Sequence, residues 1–288
     1  MRIADKTQEE AVSIIQTAYD AGIRIFDHAD IYGRDGKSEL VFTKAFKETG
    51  IQREDIFLQS KVGIRQDYGM YDLSEAYILK SVDQILARLD TDYLDMLLLH
   101  RPDALMDVEE TARALTKLKN EGKVKHFGVS NFNHHQISLL QSKLDFPLEI
   151  NQIQFSLLHS IIIDEGINVN LDNKDASIRA SGILEYAQLN NIKLQSWSPF
   201  QHGFIEGPFI DNEAFPEVNE ALEEIAKVHG VSKTTIAAAW ILRHPANIQV
   251  VAGTMTPSRI KDIAKAQDIT LTRNEWYTLY KATGKLLP

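Results

Sequence analysis

Four side chains in the first hundred residues of the sequence have the means for proton chemistry at a carbonyl oxygen. Tyr32 follows Asp27 closely in Asp27-His28-Ala29-Asp30-Ile31-Tyr32-Gly33, Lys61 follows the next apolar run, and His100 the one after that. A free phenol ionises near pH ~10, too high for efficient acid–base work at neutral pH. A neighbouring ammonium favours the phenolate, each pKa unit being worth about 1.4 kcal/mol, and Lys61 can supply that charge. Asp27 can hold Lys61 protonated, because an isolated buried ammonium tends to neutralise itself. His100 offers a donor that orients a substrate oxygen. An acid, its tuner, the tuner's partner and an oxygen donor suit carbonyl reduction. No residue of the chain supplies a hydride, so a cofactor must.

Short runs rich in Val, Ile, Leu and Phe position these groups. They cover residues 23–26, 56–58, 93–99, 124–129, 148–153, 192–197 and 248–251. Helical patterns lie between them. Residues 7–19 open on the capping-box pattern Thr7-Gln8-Glu9-Glu10, and 74–89 carry Ile78, Val82, Ile85, Leu86 and Leu89 on one face. Residues 108–120 stop at Glu121-Gly122. Further helices are expected at 133–142, 181–190, 217–229, 233–243, 258–265 and 274–282. The long polar stretch 157–176 reads as an excursion loop. Repeated strand–helix alternation predicts a parallel α/β sheet, open or closed as a barrel, and no glycine-rich nucleotide fingerprint follows any strand. The runs end on Asp27, Lys61, His100, Ser130-Asn131, Asn151-Gln152, Ser196-Trp197-Ser198 and Gly253-Thr254. Polar residues at this end of barrel strands are where active sites are assembled.

In their order these motifs resemble the aldo-keto reductases, from about Thr7 to Pro288. The resemblance rests on Gly22-Ile23-Arg24-Ile25-Phe26-Asp27-His28-Ala29-Asp30-Ile31-Tyr32-Gly33 and Leu97-Leu98-Leu99-His100-Arg101-Pro102. It extends through Gly122-Lys123-Val124-Lys125-His126-Phe127-Gly128-Val129-Ser130-Asn131-Phe132, Asn151-Gln152-Ile153-Gln154 and Trp197-Ser198-Pro199-Phe200. It implies a (β/α)8 TIM-type barrel, an α/β fold in which residues 1–288 form a single domain, and NADPH-dependent reduction of a small aldehyde or ketone. Tyr32 would be the proton donor of a tetrad with Asp27, Lys61 and His100. Ser130, Asn131 and Gln152 resemble the residues that hold the nicotinamide carboxamide, and Trp197 stands where a stacking tyrosine is usual. Ser198, Pro199, Phe200 and Gly203 belong to a segment like the pyrophosphate loop. Gly253, Thr254 and Arg259 resemble the 2′-phosphate segment, with Arg259 as the anion partner. Gly253 replaces a frequent lysine and Ile263 a frequent asparagine, so the choice of NADPH over NADH rests mainly on Arg259.

Only six residues precede Thr7, too few for the first barrel strand, which is therefore expected to be missing here and to lie upstream. Two other functions use the same residues: a Schiff-base aldolase built on Lys61, and a barrel that binds nucleotide as a regulator. Asp27 weighs against the first, since a Schiff-base lysine needs a depressed pKa. His28 and Asp30 form an H-x-D pair without a third ligand, and His134 and His135 should diverge by roughly 100° on their helix, so no metal is expected. The net charge of −9 argues against nucleic acid, and the absence of cysteine excludes disulfides and thiol chemistry. With no apolar signal core or span, a cytoplasmic protein outside the membrane is expected, as a monomer or weak homo-oligomer.

Overall fold

A computed structural model describes residues 2–169 and 181–285. The chain falls into two compact units, Met1–Asn151 with Thr254–Pro257, and Gln152–Gly253 with Ser258–Pro288. In the first, β1 (Ile25–Asp27), β2 (Phe57–Val62), β3 (Leu94–Leu99) and β4 (Val124–Ser130) pair in parallel in that order. The start of β5 (Leu148–Gln154) comes next to β4. The end of β5 belongs to the second unit, where β6 (Lys193–Trp197) follows it and pairs in parallel with β7 (Gln249–Val250).

Parallel neighbours cannot be joined by tight turns, and each crossover here contains helix: Lys37–Thr49, Glu75–Leu89, Val108–Asn120 and His134–Gln141 in the first unit. Ile161–Ile167, Ile183–Leu189, Pro216–His229 and Lys233–Leu242 do the same in the second. The fold class is α/β, of the (β/α)8-barrel type, with seven parallel strands among the described residues. No strand precedes Thr7 among them. Arg2–Asp5 form a 3-10 helix instead, burying Ile3 and Ala4. A Cβ on Gly33 would stand 2.4 Å from the Ala4 methyl, so this short helix sits directly against the Tyr32-Gly33 turn.

The caps are those that the residue types dictate. Thr7 closes a capping box with Glu10, Asn133 one with Gln136 and Thr272 one with Glu275. Ser74 accepts from the Tyr77 amide, and Ile78, Val82, Ile85, Leu86 and Leu89 are buried as the helical spacing required. Three features differ from the expectations. Lys37–Thr49 is an additional helix, two short antiparallel pairs occur at Ile64–Arg65 with Met70–Tyr71 and at Gln201–His202 with Gly207–Pro208, and the expected loop contains the helix Ile161–Ile167. Residues 170–176 of that stretch lie outside the described residues.

Met96, Leu98 and Ile150 pack together with Phe57, all on strands of the first unit. Gly128 makes room for them. A Cβ there would lie 2.6 Å from the Ile150 carbonyl oxygen and 2.8 Å from Leu98 Cδ2. The oxygen is backbone, so relief would require β4 and β5 to separate. Gly128→Ala is therefore expected to cost about 3 kcal/mol, the upper range for overpacking. A lowered urea midpoint checks this; an unchanged midpoint would show that the strands can part freely.

Candidate active site

The four sequence-identified catalytic candidates come together in the first unit. Asp27 ends β1, and Lys61 lies in β2 two residues beyond Gln59, the register partner of Asp27. Period-two alternation thus places Gln59 and Lys61 on one side of the strand. The Lys61 side chain is wholly buried, with Nζ 2.6 Å from each Asp27 carboxylate oxygen, 2.8 Å from the His28 carbonyl oxygen and 3.4 Å from the Tyr32 hydroxyl. The Tyr32 ring meets the His100 ring edge-on, with centroids 5.9 Å apart at 80°. The chain returns over the strand ends as its spacing required: the Asp30 amide donates to the Lys61 carbonyl, and the His100 amide to that of Val62.

The electrostatics refine the expected tuning. Burial lowers Lys61, but Asp27 and Tyr32 outweigh it and the net shift is upward, so the ammonium persists. Burial raises Tyr32 above the ordinary phenol range, with Lys61 pulling the other way. The resting phenol therefore stays protonated, where the sequence alone suggested a lowered pKa. Burial, then Lys61, lowers His100 to about 3, so its imidazole is neutral. His100 Nδ1 is buried without a hydrogen-bond partner, which favours the tautomer with the proton on Nε2.

Sequence reasoning missed two supports. Gln59 Nε2 donates to Asp27 Oδ1 at 2.6 Å, fixing the carboxylate that holds Lys61. Ser60, on the opposite side of β2, donates to Glu39, whose other oxygen accepts from Arg88 Nε at 2.6 Å. A polar Gln59-Ser60-Lys61 run within a buried strand was the available signal for the first. Nothing marked Glu39 before its helix was recognised.

His28 is buried against Phe42, with burial lowering its pKa to about 3, and its Nε2 has no partner. The sign of the resulting acid sensitivity is fixed. Both His28 and His100 bind protons more weakly folded than unfolded, so stability is full above about pH 6.5 and falls as pH drops toward 3. Each can withdraw up to about 4 kcal/mol over that window. Asp30, raised by burial to about 7, acts in the opposite sense over the same window, so the test is differential. Relative to the unaltered chain, His28→Gln should make the urea midpoint fall less, or rise more, from about pH 7.5 to 5. A slope unchanged by that substitution would remove His28 as a source of it.

The remaining candidates are described unit by unit. In the first, Ser130 is buried at the end of β4, and Asn131, in the left-handed region at φ 59°, donates from Nδ2 to Ser130 Oγ at 2.8 Å. Asn151 supports this turn by donating to the Phe132 carbonyl. Thr254 accepts at its hydroxyl from the Thr256 amide. In the second, Gln152 donates to Gln195, and Gln195 in turn to Gln249, an amide ladder across β5, β6 and β7. Trp197 ends β6 edge-on to Phe204 at 6.3 Å. Ser198 has φ 50°, Phe200 accepts from the Phe209 amide, and Pro199 lies between them. Gly203 has φ 53° and accepts at its carbonyl from Gln154; a Cβ there would fall 2.2 Å from the Glu206 carboxyl carbon. Gly253 is exposed with open space around it, so packing does not demand glycine. Arg259 is exposed, and its side chain makes no ion pair or hydrogen bond among the described residues.

His28 and Asp30 acquire no third ligand, and no group of His, Asp or Glu able to hold a metal occurs among the described residues. The His134 and His135 rings stand 3.8 Å apart, closer than their angular divergence on the helix suggested. No helix among the described residues is long and apolar enough to cross a membrane.

The chain as a whole is similar to known proteins. A family model described as the aldo/keto reductase family matches residues 1–283. The chain is 35% identical to a 6-dehydroglucose reductase of Agrobacterium fabrum, an alignment covering 98% of this chain and 91% of that protein. It is 34% identical to oxidoreductase YdhF of Escherichia coli, over 95% and 87% of the two chains. A solved aldo/keto reductase from Brucella melitensis superposes with a TM-score of 0.70 at 28% identity, covering 96% of this chain and 91% of its own. The chain belongs to the aldo/keto reductase family, oxidoreductases that act on carbonyl compounds.

Proposed function

We propose that this chain reduces aldehydes or ketones to alcohols with NADPH, Tyr32 giving the proton to the substrate oxygen. The observation that carries the reading is the Tyr32–Lys61–Asp27 chain of contacts, 3.4 Å and then 2.6 Å, with a neutral His100 beside the phenol. Burial keeps Tyr32 loaded with its proton, and as the proton leaves, the Lys61 ammonium stabilises the growing phenolate. Asp27, fixed by Gln59, prevents Lys61 from neutralising itself. His100 donates from Nε2 to the substrate oxygen and so sets its direction. A bound reduced nicotinamide supplies the hydride that no residue here can furnish.

The donor set fits such a cofactor. Ser130, Asn131 and Gln152 bring a hydroxyl and two carboxamides suited to an amide ligand, and Trp197 brings a large ring face for stacking. Ser198, Pro199, Phe200 and Gly203 form the segment assigned to the pyrophosphate, and Gly253, Thr254 and Arg259 the one assigned to the 2′-phosphate. The Arg259 guanidinium has its full donor fork available for a phosphate. We take residues 1–288 as one barrel domain, supported by the family match over 1–283 and by β5 contributing residues to both compact units. The substrate is a small carbonyl compound; the raised Lys61 pKa weighs against a Schiff-base role.

Oxidation of NADPH and NADH in the presence of aldehydes and ketones tests the reading, which fails if no carbonyl compound is reduced with either. NADPH should be preferred by about tenfold to a hundredfold, the range for one charged hydrogen-bonded contact, and Arg259→Ala should erase the preference. Equal Michaelis constants for the two cofactors, unmoved by Arg259→Ala, would contradict the Arg259 assignment.

A further inference from the structure

The mechanism accounts for the hydroxyl of Tyr32 but not for the cavity that its residue helps to line. This cavity, of about 710 Å³, lies wholly within the first unit and is bordered by Asp5, Gly33, Arg34, Lys37 and Gln66 as well as Tyr32. Its volume is in the range of small-molecule sites. Two of the lining side chains are cationic and one is anionic. Lys37 and Asp5 stand 4.0 Å apart, both largely exposed, an association too loose to neutralise either firmly. The Arg34 side chain makes no hydrogen bond or ion pair among the described residues.

The backbone holds Arg34 in an unusual way. Gly33, Arg34, Asp35 and Gly36 have φ of 75°, 62°, 48° and 74°, so two residues with side chains lie between glycines in the left-handed region. Such conformations are uncommon outside glycine and occur where the surroundings impose them. Here Gly33 is packed against Ala4, and a Cβ on Gly36 would fall 2.1 Å from Arg88 Nε, so both ends of the run are packed while Arg34 stays exposed at the cavity. A third cation, Arg101, follows His100 directly in the sequence and is half-buried. The positive lining stands out against a chain whose net charge is −9. A local field of that sign draws in anions and raises their association rate.

We propose that this cavity receives the anionic end of the carbonyl substrate, a carboxylate or phosphate ester met by the Arg34 guanidinium with Lys37 beside it. The inference rests on the carbonyl-reductase reading, since it places the substrate carbonyl at Tyr32. A planar guanidinium meets either oxyanion through paired N–H donors, and Lys37 adds a point charge.

Matched substrates test it: 4-oxobutanoate against its methyl ester, and glyceraldehyde 3-phosphate against glyceraldehyde, each with NADPH at low and high salt. The expected result is a kcat/KM ratio of about tenfold or more for the charged member of at least one pair. That ratio should shrink toward one in Arg34→Gln and on raising the ionic strength. The favoured pair identifies the anion as carboxylate or phosphate. A ratio near one in both pairs, with the neutral members reduced, overturns the proposal while carbonyl reduction stands. A large ratio that neither Arg34→Gln nor salt alters overturns it as well. If Arg34→Gln does not fold, the salt titration of the unaltered chain decides alone. Absence of reduction with every compound removes the underlying reading, and this proposal with it.

Discussion

Tyr32→Phe is expected to lower kcat by about a hundredfold to ten-thousandfold, the range for loss of a positioned general acid. The substitution deletes one oxygen from a half-buried ring and leaves the edge-on contact with His100 in place. Its ground-state consequences are small, because Lys61 retains Asp27 and the His28 carbonyl as acceptors when the 3.4 Å contact is lost. Cofactor affinity should stay within about a few-fold, since an interaction made chiefly in the transition state is read in kcat. Stopped-flow measurement of the reduction step and fluorescence titration of NADPH check both halves. Turnover equal to that of the unaltered chain would show that the proton comes from elsewhere.

Lys61→Met should be comparably severe for turnover and should also damage the fold. The ammonium is wholly buried, and its removal leaves the Asp27 carboxylate, 14% exposed, facing a thioether while Gln59 still donates to it. Breaking a buried pair from one side costs about 3–5 kcal/mol. Neutralising the other partner distinguishes the two effects: Asp27→Asn combined with Lys61→Met should recover much of the lost stability and none of the activity. Recovery of activity in the double variant would mean that Lys61 serves only to balance Asp27. Borohydride added with an aldehyde should leave Lys61 unmodified, because a protonated amine is not a nucleophile. A stable mass increment on Lys61 would favour the aldolase reading.

The parts of this fold that could be read from the sequence are those with local signals. Thr7, Ser74, Asn133 and Thr272 are N-caps whose side chains bond the following turn, and the helices begin beside them. The helix Lys37–Thr49 gives no such notice. Its N-cap is Gly36, which has no side chain to cap with, and its inward face includes Ser38 and Glu39, buried on partners that are distant in sequence. The helix Ile161–Ile167 carries no comparable local signal, because tertiary contacts secure it: Asp164 accepts from Tyr280 and Lys285, more than a hundred residues away. The tetrad was legible because each member follows an apolar run, and strand ends converge when strands are parallel. The direction of the Tyr32 pKa was not, since burial outweighs the nearby Lys61 and spacing does not reveal depth. Gly253 was singled out by motif, yet the space around it leaves its glycine identity without a steric reason.

The central claim is that hydride from a nicotinamide and a proton from Tyr32 reach the two ends of one carbonyl bond. Its most direct test is product analysis after incubating the chain with an aldehyde and NADPH deuterated at both positions of the nicotinamide C4. The expected result is an alcohol with a single deuterium on its carbinol carbon, formed at a rate that collapses in Tyr32→Phe. Alcohol without deuterium, or a product with a new carbon–carbon bond, would contradict the account.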